Sequence, residues 1–214
     1  MGKGDVVYPA GYEPTVEDDK AIETRKTLLN VILGDHSKEI SEDLDTDLFE
    51  VMKRRRSTRK FDTKTVENWK VEKILAAADT APTAGNFQGF EIFHVKNKGM
   101  KEKLVKAANN QPYVNAPLVL VYCKNPGRVK LQFPKITLTK FAIQDATLAA
   151  AYSQLAATAL SLSTIWIGMI DEKEVAEIIG TDLVPSSILC VGYPIKRKYP
   201  KPRRNLSELI HVLE

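Results

Sequence analysis

Arg54-Arg55-Arg56-Ser57-Thr58-Arg59-Lys60-Phe61 and Ala81-Pro82-Thr83-Ala84-Gly85-Asn86-Phe87-Gln88 stand with one helix-like stretch between them. The first is a cluster of cations with a hydroxyl. The second is a small, polar loop bounded by proline and glycine. An anionic, planar ligand with polar edges needs both kinds of group. Arg offers planar, paired donors suited to phosphate. Thr83, Asn86 and Gln88 offer a hydroxyl and amides to a heterocycle's edge, and Gly85 lets backbone approach a flat ring. Each segment also has a plain reading. Cations suit a helix C-terminus, and the loop could simply join a helix to a strand.

Outward from this pair, the apolar pattern describes a helix-and-sheet protein. A short helix carries Leu48, Phe49, Val51 and Met52, and the compact domain begins near Thr46. Thr65 is the expected N-cap of a helix with Val66, Trp69, Ile74, Leu75 and Ala78, running up to Pro82. Phe90–Val95 has strand character, and Gly99–Ala108 reads as a basic helix. Pro117–Cys123 is continuously apolar and of strand length, the pattern of a strand covered on both faces.

Residues 141–170 hold one charged residue, Asp145, which raises the question of a membrane span. Thr147, Ser153, Gln154, Thr158, Ser161, Ser163 and Thr164 argue against it. The expectation is a buried, alanine-rich helix over 142–162 and a buried strand over 164–170. Small residues all around a helix allow close packing, which suits a central or dimer-interface position. Asp171-Glu172-Lys173-Glu174 opens a further helix, closed by Gly180, and Ser187–Tyr193 is a last strand. The coarse order is α, α, β, α, β, α, β, α, β. No Gly-x-Gly-x-x-Gly follows a strand, so a Rossmann dinucleotide fold is not expected.

The 214 residues suit one domain with a real core, or one domain plus an ordered tail. Residues 1–19 read as an irregular arm, 20–34 as an amphipathic helix, and 35–46 as an acidic linker; 1–45 form an N-terminal extension to a domain over 46–214. The net charge is +4, but the cations gather at 53–60 and at Lys196–Arg204, with six in nine residues. That distribution points to an anionic ligand or nucleic acid more than the net charge does. Phe61 and Tyr199 are the only aromatics among these cations, which is thin support for nucleic acid. Cys123 and Cys190 each sit in an apolar run, with no disulfide or metal spacing. With no apolar leader near Met1, the expected location is cytoplasmic.

His36, His94 and His211 are scattered, and no nucleophile or metal-ligand pattern stands out. A cofactor enzyme leaves the hard chemistry to its cofactor, so this silence is compatible with one.

Two further pieces complete the pattern: Trp166-Ile167-Gly168-Met169, where an apolar strand meets a glycine, and the Gly192-Tyr193-Pro194 to Lys201-Pro202-Arg203 tail. In this order over residues 47–205, with Asn115-Ala116-Pro117 between, the four resemble the FMN-dependent nitroreductases. The resemblance implies an α+β fold, with a mixed or antiparallel central sheet flanked by helices. It implies a homodimer whose C-terminal tail crosses to the partner. It also implies an FMN-dependent oxidoreductase passing hydride from NADH or NADPH to nitroaromatics, quinones or similar small acceptors. A specialised dehalogenase or dehydrogenase of the same fold, or a flavin-binding protein that is not a reductase, is the alternative. No nucleic-acid or membrane partner is expected.

By position, the resemblance gives Arg55, Arg56 and Ser57 to the FMN phosphate and ribityl chain, and Arg59 to the pyrimidine edge. Lys201 and Arg203 would complete the phosphate site. Asn109 and Gln111 would lie on the pyrimidine side, and the Ile167 and Gly168 backbone near flavin N5 and O4. Pro82, Thr83, Ala84 and Asn86 would come from the opposite subunit. Two departures are visible: an unusually long N-terminal arm, and a short 124–140 segment that leaves the acceptor side open or covered by that arm.

Overall fold

The computed structural model describes residues 47–196, 199 and 201–213. The expected arm, the helix over 20–34 and the acidic linker lie outside these residues. The elements are α1 (Leu48–Arg54), α2 (Asn68–Asp79), β1 (Phe90–His94), α3 (Lys98–Ala107), β2 (Leu118–Lys124), α4 (Lys135–Ala159), β3 (Ser163–Ile167), α5 (Glu172–Ile179) and β4 (Val184–Gly192). The order is the one expected from the apolar pattern.

The four strands form one sheet in the order β1-β2-β4-β3. Every pairing is antiparallel, with Phe90 opposite Lys124, Leu118 opposite Val191, and Trp166 opposite Leu189. The basic segment extends the sheet by one parallel bridge, Ser57 to Thr164, and the Thr58 amide donates to the Thr164 carbonyl at 2.9 Å.

Alternation along β2 and β4 divides the core. Leu118, Leu120, Tyr122, Leu189 and Val191 face Ile74 and Ala78 of α2 and Ala146, Ala149, Ala150 and Ala157 of α4. Val119, Val121, Cys123, Ile188 and Cys190 face Leu104 of α3 and Val175 of α5. A strand with helices on both faces has no solvent side, hence the unbroken apolar run of β2. The alanine stripe lets α4 lie close to both sheet and α2. A polar relay crosses this dry layer: the Tyr122 hydroxyl donates to Ser153 Oγ at 2.7 Å, and Ser153 Oγ donates to the Ile74 carbonyl at 3.0 Å.

Several boundaries differ from the expectation. Thr65 is not the cap of α2: the N-cap is Glu67, without a side-chain capping bond. Its carboxylate instead accepts from the Tyr193 hydroxyl at 2.6 Å, tying α2 to the end of β4. α4 begins at Lys135, seven residues before the alanine-rich run, after Pro134 in an extended conformation. Its first turns hold exposed Lys135, Ile136 and Lys140 beside half-buried Thr137, Leu138 and Thr139, which is too mixed to read as an apolar stripe. β3 stops at Ile167, because the chain turns to let the Asp171 amide bond the Ala107 carbonyl at 2.8 Å. β4 starts early, at Val184, across an irregularity in register at Tyr122/Cys123.

Among the described residues no helix is long and apolar enough to cross a membrane. Leu206, Leu209, Ile210, Val212 and Leu213 of the tail are 55–93% exposed.

Candidate active site

Three arginines come first. Arg55 is the C-cap of α1, where its amide bonds the Val51 carbonyl. Burial lowers the Arg55 pKa, and the neighbouring Arg203 and Arg56 lower it further. Arg203 of the tail therefore sits within electrostatic reach of a half-buried guanidinium of like charge. Arg56 donates from Nη1 to the Lys53 and Arg55 carbonyls at 2.5 and 2.6 Å. Its Nε is buried with no hydrogen-bond partner. Among the described residues, none of these three arginines pairs with a carboxylate. Converging like charges and an orphaned donor are costly unless an anion joins them. A phosphate fits that demand. Lys201 is exposed two residues earlier on the tail.

The second group is joined to the first through β3. Ser57 bridges Thr164, three residues before Ile167. Ile167 is buried, while Gly168 is exposed, and a Cβ added there would meet nothing within 4 Å. The backbone at Gly168 thus borders open space. Against the next residue, Asn109 Nδ2 donates to Met169 Sδ at 3.3 Å, and Gln111 Nε2 to the Met169 carbonyl at 3.4 Å. Gln111 Oε1 accepts from the Tyr113 hydroxyl, and the Arg59 guanidinium lies 5.6 Å from the Tyr113 ring centre. Arg59, Tyr113, Gln111, Asn109, Met169 and Gly168 therefore form one connected rim. Tyr113 carried no signal in the sequence, since an aromatic in a short irregular segment has no periodicity.

The third group stands apart. Pro82–Gln88 leads into β1, one edge of the sheet, whereas the arginines and Gly168 attach to β3, the other edge. Three strand spacings, about 14 Å, separate those edges. The loop and the arginine segment thus attach to opposite edge strands of one sheet. The loop is nevertheless tightly built. Gly85, Asn86 and Gln88 all adopt positive φ, at 58°, 61° and 45°. Gln88 Nε2 donates to Thr83 Oγ1 at 3.2 Å and to the Asn86 carbonyl at 2.6 Å.

Asp145 fixes both ends of the loop. Its carboxylate, 2% exposed, accepts from the Ala84 and Gly89 amides at 3.0 Å each. Burial raises its pKa, against the lowering effect of those two amides. Left-handed backbone at non-glycine positions is strained, and such strain gathers at functional sites when the surroundings enforce it. Asp145 was visible in the sequence as one charge in a long uncharged stretch, the signature of a buried group that must find donors.

The chain belongs to the nitroreductase family, whose model matches residues 52–193. An Archaeoglobus fulgidus protein with the provisional name NADH dehydrogenase/NAD(P)H nitroreductase is 30% identical over 151 residues, covering 67% of this chain and 83% of that protein. FMN reductase [NAD(P)H] of Bacillus subtilis is 28% identical over 164 residues, covering 69% and 66%. The solved NADPH:FMN oxidoreductase of Vibrio harveyi, in complex with NAD+, matches with TM-score 0.73 at 25% identity, covering 78% of this chain and 77% of that one.

Proposed function

We propose that this chain is an FMN-dependent NAD(P)H oxidoreductase that acts as a homodimer on nitroaromatic, quinone or similar small acceptors. The observation that carries the reading is the trio Arg55, Arg56 and Arg203, with the Arg56 Nε buried and unpartnered. FMN supplies a ring that accepts reducing equivalents from a nicotinamide and hands them to the acceptor.

The residues then divide the work. Arg55, Arg56 and Arg203, with Ser57 and Lys201, hold the phosphate by charge-assisted hydrogen bonds. Arg59 places a permanent positive charge at the pyrimidine edge, where reduction adds negative charge. Asn109 and Gln111 present amides on the same side, and the Ile167–Gly168 backbone borders the ring without a side chain in the way. No residue needs to act as general acid. Donor and acceptor take turns on one exposed ring face, so the kinetics are ping-pong, and proximity supplies the rate.

The partner subunit provides the loop Pro82, Thr83, Ala84 and Asn86, and the apolar tail crosses onto the partner. This is supported by the loop's place at the far edge strand and by the tail's exposed leucines. Ile143, Leu148 and Tyr152 of α4 and Leu48, Phe49 and Met52 of α1 add exposed apolar surface for the same contact. Residues 1–45 form an extension outside this domain. Cys123 and Cys190, buried and unpaired, suit a reducing cytoplasm.

The test is the visible spectrum of the purified protein before and after anaerobic NADPH or NADH. A flavin band that bleaches with either nucleotide and returns with a quinone or nitrofurazone is expected. A chain that carries no flavin and takes up none from added FMN would overturn the reading.

A further inference from the structure

A cleft of about 580 Å³ opens beside Arg59, and its charge exceeds any use described so far. Arg59, Lys60, Lys96, Lys98 and Lys101 line it, against one carboxylate, Asp62. Asp62 Oδ1 already accepts from the Lys64 amide at 2.8 Å. Among the described residues, Arg59, Lys60, Lys96 and Lys98 have no carboxylate within ion-pair distance. Lys101 is buried, and its Nζ donates to the Ala116 and Pro117 carbonyls at 2.8 and 2.9 Å. An ammonium has three donors, so one remains. Phe61 and Tyr113 supply ring surface in the same wall.

The helix that opens here breaks a local rule. α3 has Asn97 as N-cap, Lys98 as its first residue and Lys101 one turn on, with no acid in the first turn. Cations at a helix N-terminus oppose the macrodipole, and acids are the usual choice there. Helix stability therefore does not explain Lys98. An anion at this point would be favoured by the lysines and by the helix end together. The field is felt nearby: the His94 pKa is lowered, first by burial and then by Lys96 and Lys101.

We propose that this cleft seats the phosphate groups of the nicotinamide dinucleotide donor, and that Lys96 and Lys98 favour the donor bearing an additional 2′-phosphate, NADPH. The inference rests on the oxidoreductase reading. Arg59 and Tyr113 belong both to the cleft and to the rim that ends at Gly168. A nicotinamide stacked at that rim leaves its diphosphate and adenosine on the surrounding surface, and the cleft is its cationic part. Charge rather than a shaped pocket does the selecting, so the preference weakens with salt.

The experiment compares the full chain with its Lys96→Ala/Lys98→Ala variant, both checked for fold by circular dichroism. 2′,5′-ADP is titrated calorimetrically at low and high salt, and KM is measured for NADPH and NADH. The unchanged chain should bind 2′,5′-ADP, and the variant about tenfold more weakly, with KM rising more for NADPH than for NADH. Lys96→Arg/Lys98→Arg should retain the binding. No binding by the unchanged chain, or equal binding by the alanine variant, overturns the assignment whether or not FMN is present. Failure to take up FMN, with the 2′,5′-ADP difference intact, sinks the oxidoreductase reading and sustains the cleft as a phosphate site.

Discussion

Asp145 accepts the Gly89 amide at 3.0 Å, an approach that only glycine permits. A Cβ at position 89 would stand 2.9 Å from the same carboxylate and 2.8 Å from a Val129 methyl. The loop that could line a ligand is thus fixed by a helix residue 56 positions away in sequence. Gly89→Ala should lower stability by about 1–3 kcal/mol through overpacking. Asp145→Asn should cost a similar ~1–3 kcal/mol, because an amide keeps one acceptor where two donors point. Urea unfolding measures both, and a change under 0.5 kcal/mol in both would remove Asp145 as the loop's anchor.

Gly168 separates fold from site. Its Cβ position is open and its φ is not in the left-handed region. Gly168→Val should shift unfolding stability by no more than about 0.5 kcal/mol. FMN affinity should nevertheless fall about tenfold or more, since the side chain would occupy the space kept for the ring. Equal FMN affinity in the variant would show that the ring does not lie there.

Arg203 is expected to hurt the empty protein and help the loaded one. Removing it relieves the repulsion on Arg55, so Arg203→Ala should not destabilise the flavin-free chain. FMN should bind about tenfold more weakly, from loss of one charge-assisted contact. Fluorescence titration of FMN and thermal melts of both forms give the two readings. Lower flavin-free stability with unaltered FMN affinity would assign Arg203 a purely structural role.

Two carboxyl groups should give opposite pH limbs. Burial would raise the Glu67 pKa, but its hydrogen bonds from Tyr193, its own backbone amide and Lys64, with Lys70 nearby, bring it down to about 2. Its folded value is depressed, so its contribution is complete above the unfolded value of about 4.3 and is lost as pH falls toward 2. Asp145 has the raised case, so its part of the stability falls as pH rises from about 3.9 through its folded value. Glu67→Gln should flatten the acid limb, and Asp145→Asn the limb above it. Guanidinium midpoints from pH 2 to 7 distinguish them, and parallel curves for all three proteins would refute both assignments.

Tyr122→Phe tests the dry layer. It removes the hydroxyl that donates to Ser153 and should cost about 1 kcal/mol, or roughly 3 °C in Tm for a chain of this size. An unchanged Tm would mean that the relay contributes nothing net.

The sheet was legible because apolar alternation and continuity are local. Pro117–Cys123 read as a central strand from its unbroken apolar run, and β2 is an inner one. The first turns of α4 were not legible, because Lys135–Lys140 mix exposed and half-buried positions with too few apolar residues to show a helical stripe. Thr65 resembled a cap, but Glu67 is drawn into place by Tyr193, 126 residues away. The arginine segment and Trp166–Met169 stood in the sequence as separate motifs, linked only by the family resemblance, and their joining through Thr164 is a contact that no spacing rule encodes. Asp145 was seen as an oddity, while its two amide partners were not.

The opposite placement of the Pro82–Gln88 loop and the arginine cluster has a consequence for how the enzyme would be controlled. In the proposed dimer, two complete sites appear together or not at all. Dilution below the dissociation constant of the pair would extinguish turnover by parting each arginine cluster from its partner's loop. Specific activity would then rise with protein concentration, so that the amount synthesised, and not a separate regulator, would set a threshold for function.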